Sequence, residues 1–293
     1  MGEKVNDNAL MKGKTVLITG ATSGIGKETA LCLAAKGARV VCINRNKEKS
    51  EELLRHLYAV CPSAQHEYLI ADLSSLKQVR QAAEEFLSRH SRLDVLINNA
   101  GGYFNPRRQT EEGYEYTFTV NYLSHFLLTL LLLDLLKQSA PARIVHVSSI
   151  AYLVGGKAFD DVMTEKSYWP MKVYGRSKLA NLVFSTHLAR KLRGTRVVSN
   201  ALHPGVVNTN FSKESQGLTG RLFAAFGFLF KSPEKGARTS VYLASSPEVE
   251  GITGKFFAGK KFFPTLPWVT DPQLGEHLWQ LSTGFVKPYL PAF

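Results

Sequence analysis

A glycine-rich turn between an apolar run and a helix-forming segment constrains the fold of this chain most. Residues 14–19, Lys-Thr-Val-Leu-Ile-Thr, are largely apolar and β-branched, which predicts a buried strand. Residues 27–36 carry helical periodicity and end at Gly37, a typical C-cap. The turn between them reads Thr-Gly-Ala-Thr-Ser-Gly-Ile-Gly over residues 19–26. The chain therefore begins with a strand–turn–helix unit whose turn carries three closely spaced glycines.

Each glycine of this turn has its own physical role. Gly20 permits a tight turn, Gly24 lets the backbone approach a phosphate, and Gly26 allows close helix packing. The helix N-terminus adds amide donors and a positive dipole, which attract anions. Glycines often serve turns alone, but the strand before and the helix after match the context of a nucleotide-binding turn. We predict that Gly20, Ser23, Gly24, Ile25 and Gly26 bind the pyrophosphate of a nucleotide cofactor.

Short apolar strands alternate with amphipathic helices along most of the chain. Strands are predicted at 14–19, 38–44, 67–71, 93–98, 143–148, 195–202 and 254–258, and helices at 27–36, 47–60, 75–90, 111–138, 173–193 and 233–244. This alternation predicts an α/β fold, a Rossmann-like doubly wound parallel sheet with helices on both faces. No linker or change of composition divides the series, so we predict a single domain.

The segments outside this series divide the chain into parts. We predict a polar N-terminal extension over residues 1–12, a nucleotide-binding domain over 13–258 and a C-terminal tail over 259–293. Residues 211–230 are rich in Phe, Leu and Gly and resemble an apolar flap inserted before the last helix of the domain. Two interpretations of the flap stay open: it lines a substrate pocket, or it packs on the core or on a partner subunit.

Charge and cysteine usage narrow the class of protein. The net charge of +12 favours anionic partners: a cofactor, nucleic acid or an acidic membrane surface. The basic residues are scattered and form no nucleic-acid-binding motif, so we predict no nucleic-acid partner and leave peripheral attraction to anionic lipid open. The three cysteines lack metal-ligand or redox spacing, which suits a reducing compartment, and we predict no metal site.

The N-terminus lacks the apolar core of a signal peptide. The most apolar run, residues 123–136, is shorter than the roughly 20 residues that span a bilayer. We therefore predict a buried helix there and a cytoplasmic protein.

The carboxyl ends of the predicted strands carry further candidate cofactor residues. An acidic residue after the second strand would bond the 2′-hydroxyl of NAD, whereas this chain has Arg45, which attracts a 2′-phosphate. We therefore predict NADP(H). Asp72 and Leu73, after the third strand, could bracket an adenine, although Asp72 could equally cap a helix. Asn98, Ala100 and Gly101 end the fourth strand at the same edge, where they could approach a ribose or stabilise the sheet.

Tyr174 and Lys178 stand four residues apart in a predicted helix, so they share one face. A lysine ammonium near a phenol favours the phenolate, which predicts a lowered pKa for Tyr174 and a role in acid–base chemistry. Alone, such a pair is more typical of a solvated helix face. The nucleotide-binding turn upstream gives the catalytic interpretation its weight.

These motifs together resemble the short-chain dehydrogenase/reductase family. The motifs are Thr-Gly-Ala-Thr-Ser-Gly-Ile-Gly (19–26), Asn-Asn-Ala-Gly (98–101), Ser-Ser (148–149), Tyr-Gly-Arg-Ser-Lys (174–178) and His-Pro-Gly (203–205). They stand in the family's order between about residues 12 and 257. Cys-Ile-Asn-Arg-Asn (42–46), Ser-Lys-Leu-Ala-Asn (177–181) and His-Pro-Gly-Val-Val (203–207) bring the chain closest to the retinol dehydrogenase-like branch. Two features differ from what we expect of that branch. The sequence of the tail from Gly254 is different, and we expect no N-terminal membrane anchor of the kind that many members carry.

The resemblance implies roles for individual residues. Tyr174 would exchange a proton with the substrate, Lys178 would lower its pKa and bind the nicotinamide ribose, and Ser149 would hold the substrate oxygen. Asn121 would anchor a water that extends the proton relay from Lys178. Further cofactor contacts are implied at Asn98, Gly101, Pro204, Val207 and Thr209, the last three on the nicotinamide side.

The implied activity is NADP(H)-dependent interconversion of an alcohol and a carbonyl. The apolar flap suggests a lipid-like, retinoid-like or steroid-like substrate, and family members often form dimers through the helices near 116–136 and 173–193. The alternatives are a non-catalytic NADP-binding regulator and a lyase-like or epimerase member of the same fold. The presence of Asn121, Ser149, Tyr174 and Lys178 together argues against the regulator.

Overall fold

An eight-stranded sheet forms the centre of the protein. The computed structural model describes residues 10–205 and 232–291 of the chain. The strands are β1 (Thr15–Thr19), β2 (Arg39–Asn44), β3 (Glu67–Ile70), β4 (Val95–Asn98), β5 (Ala142–Val147), β6 (Val197–His203), β7 (Phe256–Ala258) and β8 (Lys261–Phe262). Their order is β3-β2-β1-β4-β5-β6-β7-β8, and every neighbouring pair is parallel except β7 and β8. The predicted doubly wound parallel fold is confirmed.

Helices cover both faces of this sheet. They are α1 (Gly24–Ala35), α2 (Lys47–Val60), α3 (Leu76–Arg89), α4 (Tyr116–Phe118), α5 (Ser124–Gln138), α6 (Pro170–Lys191), α7 (Pro233–Ser245) and α8 (Pro272–Val286), with short 3-10 turns at Ile150–Val154, Pro247–Val249, Pro267–Thr270 and Lys287–Tyr289. One apolar core joins the sheet to α3, α5 and α6, and a second joins it to α1, α2 and α7. Because the strand order reverses between β1 and β4, a crevice opens there at the carboxyl ends of the strands.

The long central helix begins later than its sequence pattern predicts. We predicted a helix from about residue 111, with a break near Tyr114 as an alternative, and α4 begins at Tyr116. The Glu115 carboxylate accepts hydrogen bonds from the amides of Thr117 (2.9 Å) and Phe118 (2.6 Å), and this cap fixes the start. A π-helical turn, Thr119–Leu123, then joins α4 to α5. The whole segment Tyr116–Gln138 is long and apolar enough to cross a membrane. However, 78% of its most apolar stretch of 18 residues is buried in the fold, as in a core helix.

The C-terminal tail is folded, although the sequence analysis assigned it no helix or strand. It supplies β8 and α8, and α8 packs on α5 and α6. The Trp279 ring lies 5.2 Å from that of Phe126 and 6.1 Å from that of Phe184, between ring centroids, and the Lys191 ammonium lies 4.7 Å from the Trp279 ring centroid. The apolar faces of α5 and α6, on which the dimer prediction depends, are therefore largely buried within the chain itself. The predicted flap and residues 1–9 lie outside the described residues.

Candidate active site

A cavity of about 860 Å³ occupies the crevice at the carboxyl edge of the sheet. Most of the residues predicted from the sequence line it: Gly20, Ser23, Gly24, Ile25, Gly26, Arg45, Asp72, Leu73, Ala100, Gly101, Ser149, Tyr174, Lys178 and Pro204. They come from loops after several different strands, separated by more than 180 residues of chain, so the fold alone brings them together. Val207 and Thr209 lie outside the described residues.

The glycine turn forms a cradle that side chains would fill. Gly20 and Gly24 have positive φ angles of 68° and 56°, which favour glycine. A Cβ atom on Gly26 would lie 2.2 Å from the Gly20 carbonyl oxygen and 2.5 Å from the Asn99 side-chain nitrogen. Helix α1 begins beside the cavity with no side-chain cap at Ser23 and no acidic residue in its first turn. Its first amides are therefore available to an anion, which fits the pyrophosphate of a dinucleotide.

Arg45 lies where the second strand meets the cavity. Its guanidinium is 3.4 Å from the Tyr116 hydroxyl and 3.8 Å from the Asp72 carboxylate, and its side chain is 63% exposed. The Asp72 carboxylate also accepts hydrogen bonds from the amide and hydroxyl of Ser74, both at 2.8 Å. Lys49, on the first turn of α2, lines the same end of the cavity. Two cations at this corner suit a phosphate-bearing ribose.

Asn98 does not lie on the cavity wall, contrary to the prediction. Its side chain is buried, where its amide nitrogen donates to the Thr129 hydroxyl at 2.9 Å and lies 3.3 Å from Nδ1 of His146. Asn98 is the last residue of β4 and its side chain bonds to Thr129 on α5, whereas Ala100 follows the end of the strand and reaches the cavity. The motif is thus split between the core and the site.

Tyr174 and Lys178 lie one turn apart on α6, as predicted. The Lys178 ammonium is 5.7 Å from the centroid of the Tyr174 ring and donates a hydrogen bond to the Val147 carbonyl at 3.0 Å. Both side chains are more than nine-tenths buried. Ser149 begins the turn after β5, where its hydroxyl accepts the Ala151 amide at 3.2 Å and hydrogen-bonds with the Tyr174 phenol. A phenol, an ammonium and a hydroxyl therefore meet at one end of the cavity.

Burial controls the protonation of this group. It raises the pKa of Tyr174 to about 12, and the hydrogen bond with Ser149 opposes that rise. It also lowers the pKa of Lys178 to about 8. The predicted fall in the pKa of Tyr174 is therefore wrong for the protein alone, because removing a phenolate from water costs more than the hydrogen bond with Ser149 returns. At neutral pH, Tyr174 carries its proton and Lys178 is mostly charged.

Asn121 supports the site from behind the cavity wall. It lies in the π-helical turn and is fully buried. Its side-chain oxygen accepts the Gly102 amide at 2.8 Å, and its side-chain nitrogen donates to the Gly102 carbonyl and to the Ser177 hydroxyl, both at 2.9 Å. Asn121 thus ties the loop after β4 to the turn of α6 between Tyr174 and Lys178.

An apolar wall, which the sequence did not indicate, lies beside the proton-transfer group. Tyr103 and Phe104 follow the Asn-Asn-Ala-Gly motif, Leu153 and Val154 lie in the 3-10 turn after β5, and Met171 lies in the first turn of α6; all five line the cavity. The Tyr103 ring packs edge-on to Tyr174 at 6.1 Å. No shared periodicity or spacing marks these residues, because they come from a loop, a short 3-10 turn and the first turn of a helix.

Comparison with known proteins agrees with this geometry. Residues 14–217 match the short chain dehydrogenase family. The chain is 47% identical to retinol dehydrogenase 14 of Homo sapiens, over 96% of this chain and 88% of that protein, and 43% identical to retinol dehydrogenase 12 of Mus musculus, over 94% and 87%.

Solved structures agree as well. A crystal structure of an uncharacterised protein from Mycobacterium Paratuberculosis is 32% identical, with a TM-score of 0.75 and 94% of each chain covered. A short chain dehydrogenase of Escherichia coli, described in complex with NADPH, is 25% identical with a TM-score of 0.68, covering 87% of this chain and 99% of that one. The chain belongs to the short-chain dehydrogenase/reductase family, in its retinol dehydrogenase-like branch, and is an oxidoreductase that acts on CH–OH donors.

Proposed function

We propose that this protein is an NADP(H)-dependent carbonyl reductase that acts on apolar, lipid-like aldehydes or ketones, with Tyr174 as the proton donor. One observation carries the proposal: a single cavity has the glycine cradle and Arg45 at one end and Ser149, Tyr174 and Lys178 at the other. A dinucleotide and a carbonyl substrate can therefore share one enclosed space.

The choice of NADP(H) rests on charge at the end of β2. Arg45 and Lys49 line that corner, and the acidic residue that would favour NAD is absent there. The glycine cradle and the amides of α1 would hold the pyrophosphate, and Lys178 the nicotinamide ribose. When bound, the cofactor supplies the hydride. The NADPH complex of the Escherichia coli relative supports the same assignment.

The chain's own residues supply the proton and fix the substrate oxygen. The Ser149 hydroxyl donates a hydrogen bond to the carbonyl oxygen, and the Tyr174 hydroxyl passes its proton to the same atom as the alcohol forms. Because burial keeps Tyr174 protonated, the site is prepared for reduction. The Lys178 ammonium then stabilises the phenolate that remains, which a positioned cation does well in a water-poor site.

The substrate end of the cavity is suited to an apolar molecule. Leu153, Val154, Met171 and Phe104 line it, and Tyr103 packs against the proton donor. Because similar proteins are named retinol dehydrogenases, retinal is the first substrate to test. Ile150, Leu153 and Val154 are also partly exposed at the rim, which supports peripheral contact with a membrane that dissolves the substrate.

A test of NADPH oxidation against retinal, steroid ketones and short aldehydes decides this proposal. We expect turnover with NADPH, with retinal or another long apolar carbonyl giving a higher kcat/KM than short aldehydes. Tight binding of NADPH without turnover on any compound would support the non-catalytic regulator instead. Faster turnover with NADH than with NADPH would contradict the cofactor assignment.

A further inference from the structure

His125 belongs to a buried hydrogen-bonded chain that links the cofactor turn to Asn121. Its Nε2 atom lies 2.9 Å from the Thr19 hydroxyl, at the start of the glycine turn, and its Nδ1 atom lies 3.2 Å from the Asn121 carbonyl oxygen. The side-chain nitrogen of Asn181 donates to the same carbonyl at 2.9 Å. Thr19, His125, Asn121 and Asn181 are all fully or almost fully buried.

The bonds around Thr19 fix the tautomer of His125. The Thr19 oxygen accepts the amides of Asn99 and Ala100, both at 3.0 Å, which occupies its two lone pairs. Its own hydrogen therefore points to Nε2 of His125, which must accept. The ring proton is then on Nδ1 and is donated to the Asn121 carbonyl. Burial keeps the imidazole neutral by lowering its pKa to about 3.

The Asn121 carbonyl oxygen accepts two side-chain hydrogen bonds that hold the backbone beside the proton-transfer group. His125 and Asn181 occupy both of its lone pairs and so hold the π-helical turn in place. The side chain on that turn fixes Gly102 and Ser177. A Cβ atom on Gly101 would lie 2.8 Å from the Asn121 side-chain oxygen and 3.3 Å from the Lys178 ammonium, so Asn121 and Lys178 both flank the small space beside Gly101.

We propose that His125 is a positioning residue for the reaction: as the neutral Nδ1–H tautomer it orients Asn121, and through Asn121 it aligns Tyr174 and Lys178 with the cofactor turn. This inference rests on the proposed reductase function. It differs from a merely structural role because only the donor on the Nδ1 side is needed for alignment. The Nε2 side is needed only to satisfy Thr19.

Two substitutions separate the two sides of the ring. His125→Asn places an amide donor near the position of Nδ1, whereas His125→Gln places its amide near Nε2. We expect His125→Gln to lower kcat roughly tenfold or more, on the scale of leaving a buried acceptor unsatisfied, with little change in the KM for NADPH. We expect His125→Asn to keep kcat within about threefold of wild type, because the donor to Asn121 is restored.

His146 offers a matched control. It is equally buried, its pKa is also lowered to about 3, and it contacts Asn98 and Ser199 in the core. His146→Gln should lower thermal stability and leave kcat per NADPH-binding site unchanged. Nitrogen-15 spectra of the wild-type histidine rings provide a second measurement, in which His125 should carry its proton on Nδ1.

The outcomes distinguish this inference from the function on which it rests. Wild-type turnover with equal loss, or no loss, of kcat in both His125 variants would overturn the positioning role alone, as would a proton on Nε2. NADPH binding without turnover in the wild type would overturn the reductase function and the positioning role with it. If His125→Gln does not fold, the tautomer of the wild-type ring still decides.

Discussion

The two ends of the cavity are built in different ways. The cofactor end is built mainly from backbone: glycines with positive φ and a helix N-terminus, held by the Asn99 side chain, whose nitrogen donates to the Thr19 and Gly20 carbonyls at 2.8 and 3.1 Å. The substrate end is made of side chains: Tyr103 from the loop after β4, Leu153 from the 3-10 turn after β5 and Met171 from the first turn of α6. A backbone cradle tolerates almost no substitution, whereas a wall of apolar side chains can change without disturbing the fold. The first end carries a motif of the family, and the second is where we propose that the substrate is selected.

Gly26→Ala has the largest expected effect at the backbone end of the cavity. The added methyl group would lie within 2.2 Å of the Gly20 carbonyl oxygen, so the turn must move. Overpacking of this kind costs about 1–3 kcal/mol, and a cost of that size at the cofactor site corresponds to roughly 5- to 150-fold weaker NADPH binding. Binding is measured by fluorescence titration.

Gly284→Ala is the matched control for this substitution. It also lies within a helix, α8, and its Cβ would meet nothing within 4 Å. This variant should bind NADPH like wild type and unfold at the same or a slightly higher temperature, because alanine favours helices. Unchanged NADPH binding in Gly26→Ala would show that the turn does not contact the cofactor.

Arg45→Asp tests charge at the same end with a smaller expected effect. Replacing an exposed cation by a carboxylate should repel a 2′-phosphate and favour a 2′-hydroxyl. We expect the ratio of kcat/KM for NADPH to that for NADH to fall about tenfold, consistent with one charged hydrogen bond. Arg55→Asp, on the exposed face of α2, makes the same charge change away from the cavity and should leave the ratio unchanged. An equal response of both variants would mean that only net charge matters.

The pH dependence of turnover tests the substrate end, with the smallest expected effect. The pKa of Lys178 is lowered to about 8, so raising the pH through that value removes its charge while Tyr174 stays protonated. Stabilisation of the phenolate is then lost. We expect kcat for reduction to decline from neutral pH and to be about halved near pH 8. A kcat that stays constant to well above pH 8 would contradict the role of the Lys178 charge.

The sequence predicted the helices and strands of the alternating series better than helix starts that depend on a single side chain and better than the tail. The helix predicted at residues 47–60 has the bounds observed for α2, whose first turn is capped by the Asn46 side chain, which accepts the Lys49 amide. The start of α4 at Tyr116 depends on the side chain of Glu115, and no pattern distinguished that cap from a helical residue. The helix α8 was missed in the tail, although its first residues show a clear start, Asp271 followed by Pro272.

The site residues show the same difference between features that local spacing predicts and features that depend on distant parts of the chain. The glycine turn follows from its own spacing, and the Tyr174–Lys178 pair follows from helical spacing once the glycine turn gives it a context. The core location of Asn98 and the raised pKa of Tyr174 depend on burial by distant elements, which spacing does not encode. The apolar wall that includes Leu153 and Met171 is assembled from a short 3-10 turn and a helix start and could not be predicted.

Single-turnover reduction by Tyr174→Phe tests the central claim most directly. The substitution removes only the phenolic hydroxyl, so the backbone end of the cavity should bind NADPH as in wild type. We expect the rate of NADPH oxidation with saturating retinal to fall by about 10² to 10⁴, the range typical of losing a general acid. Retained turnover at the wild-type rate would show that Tyr174 does not supply the proton.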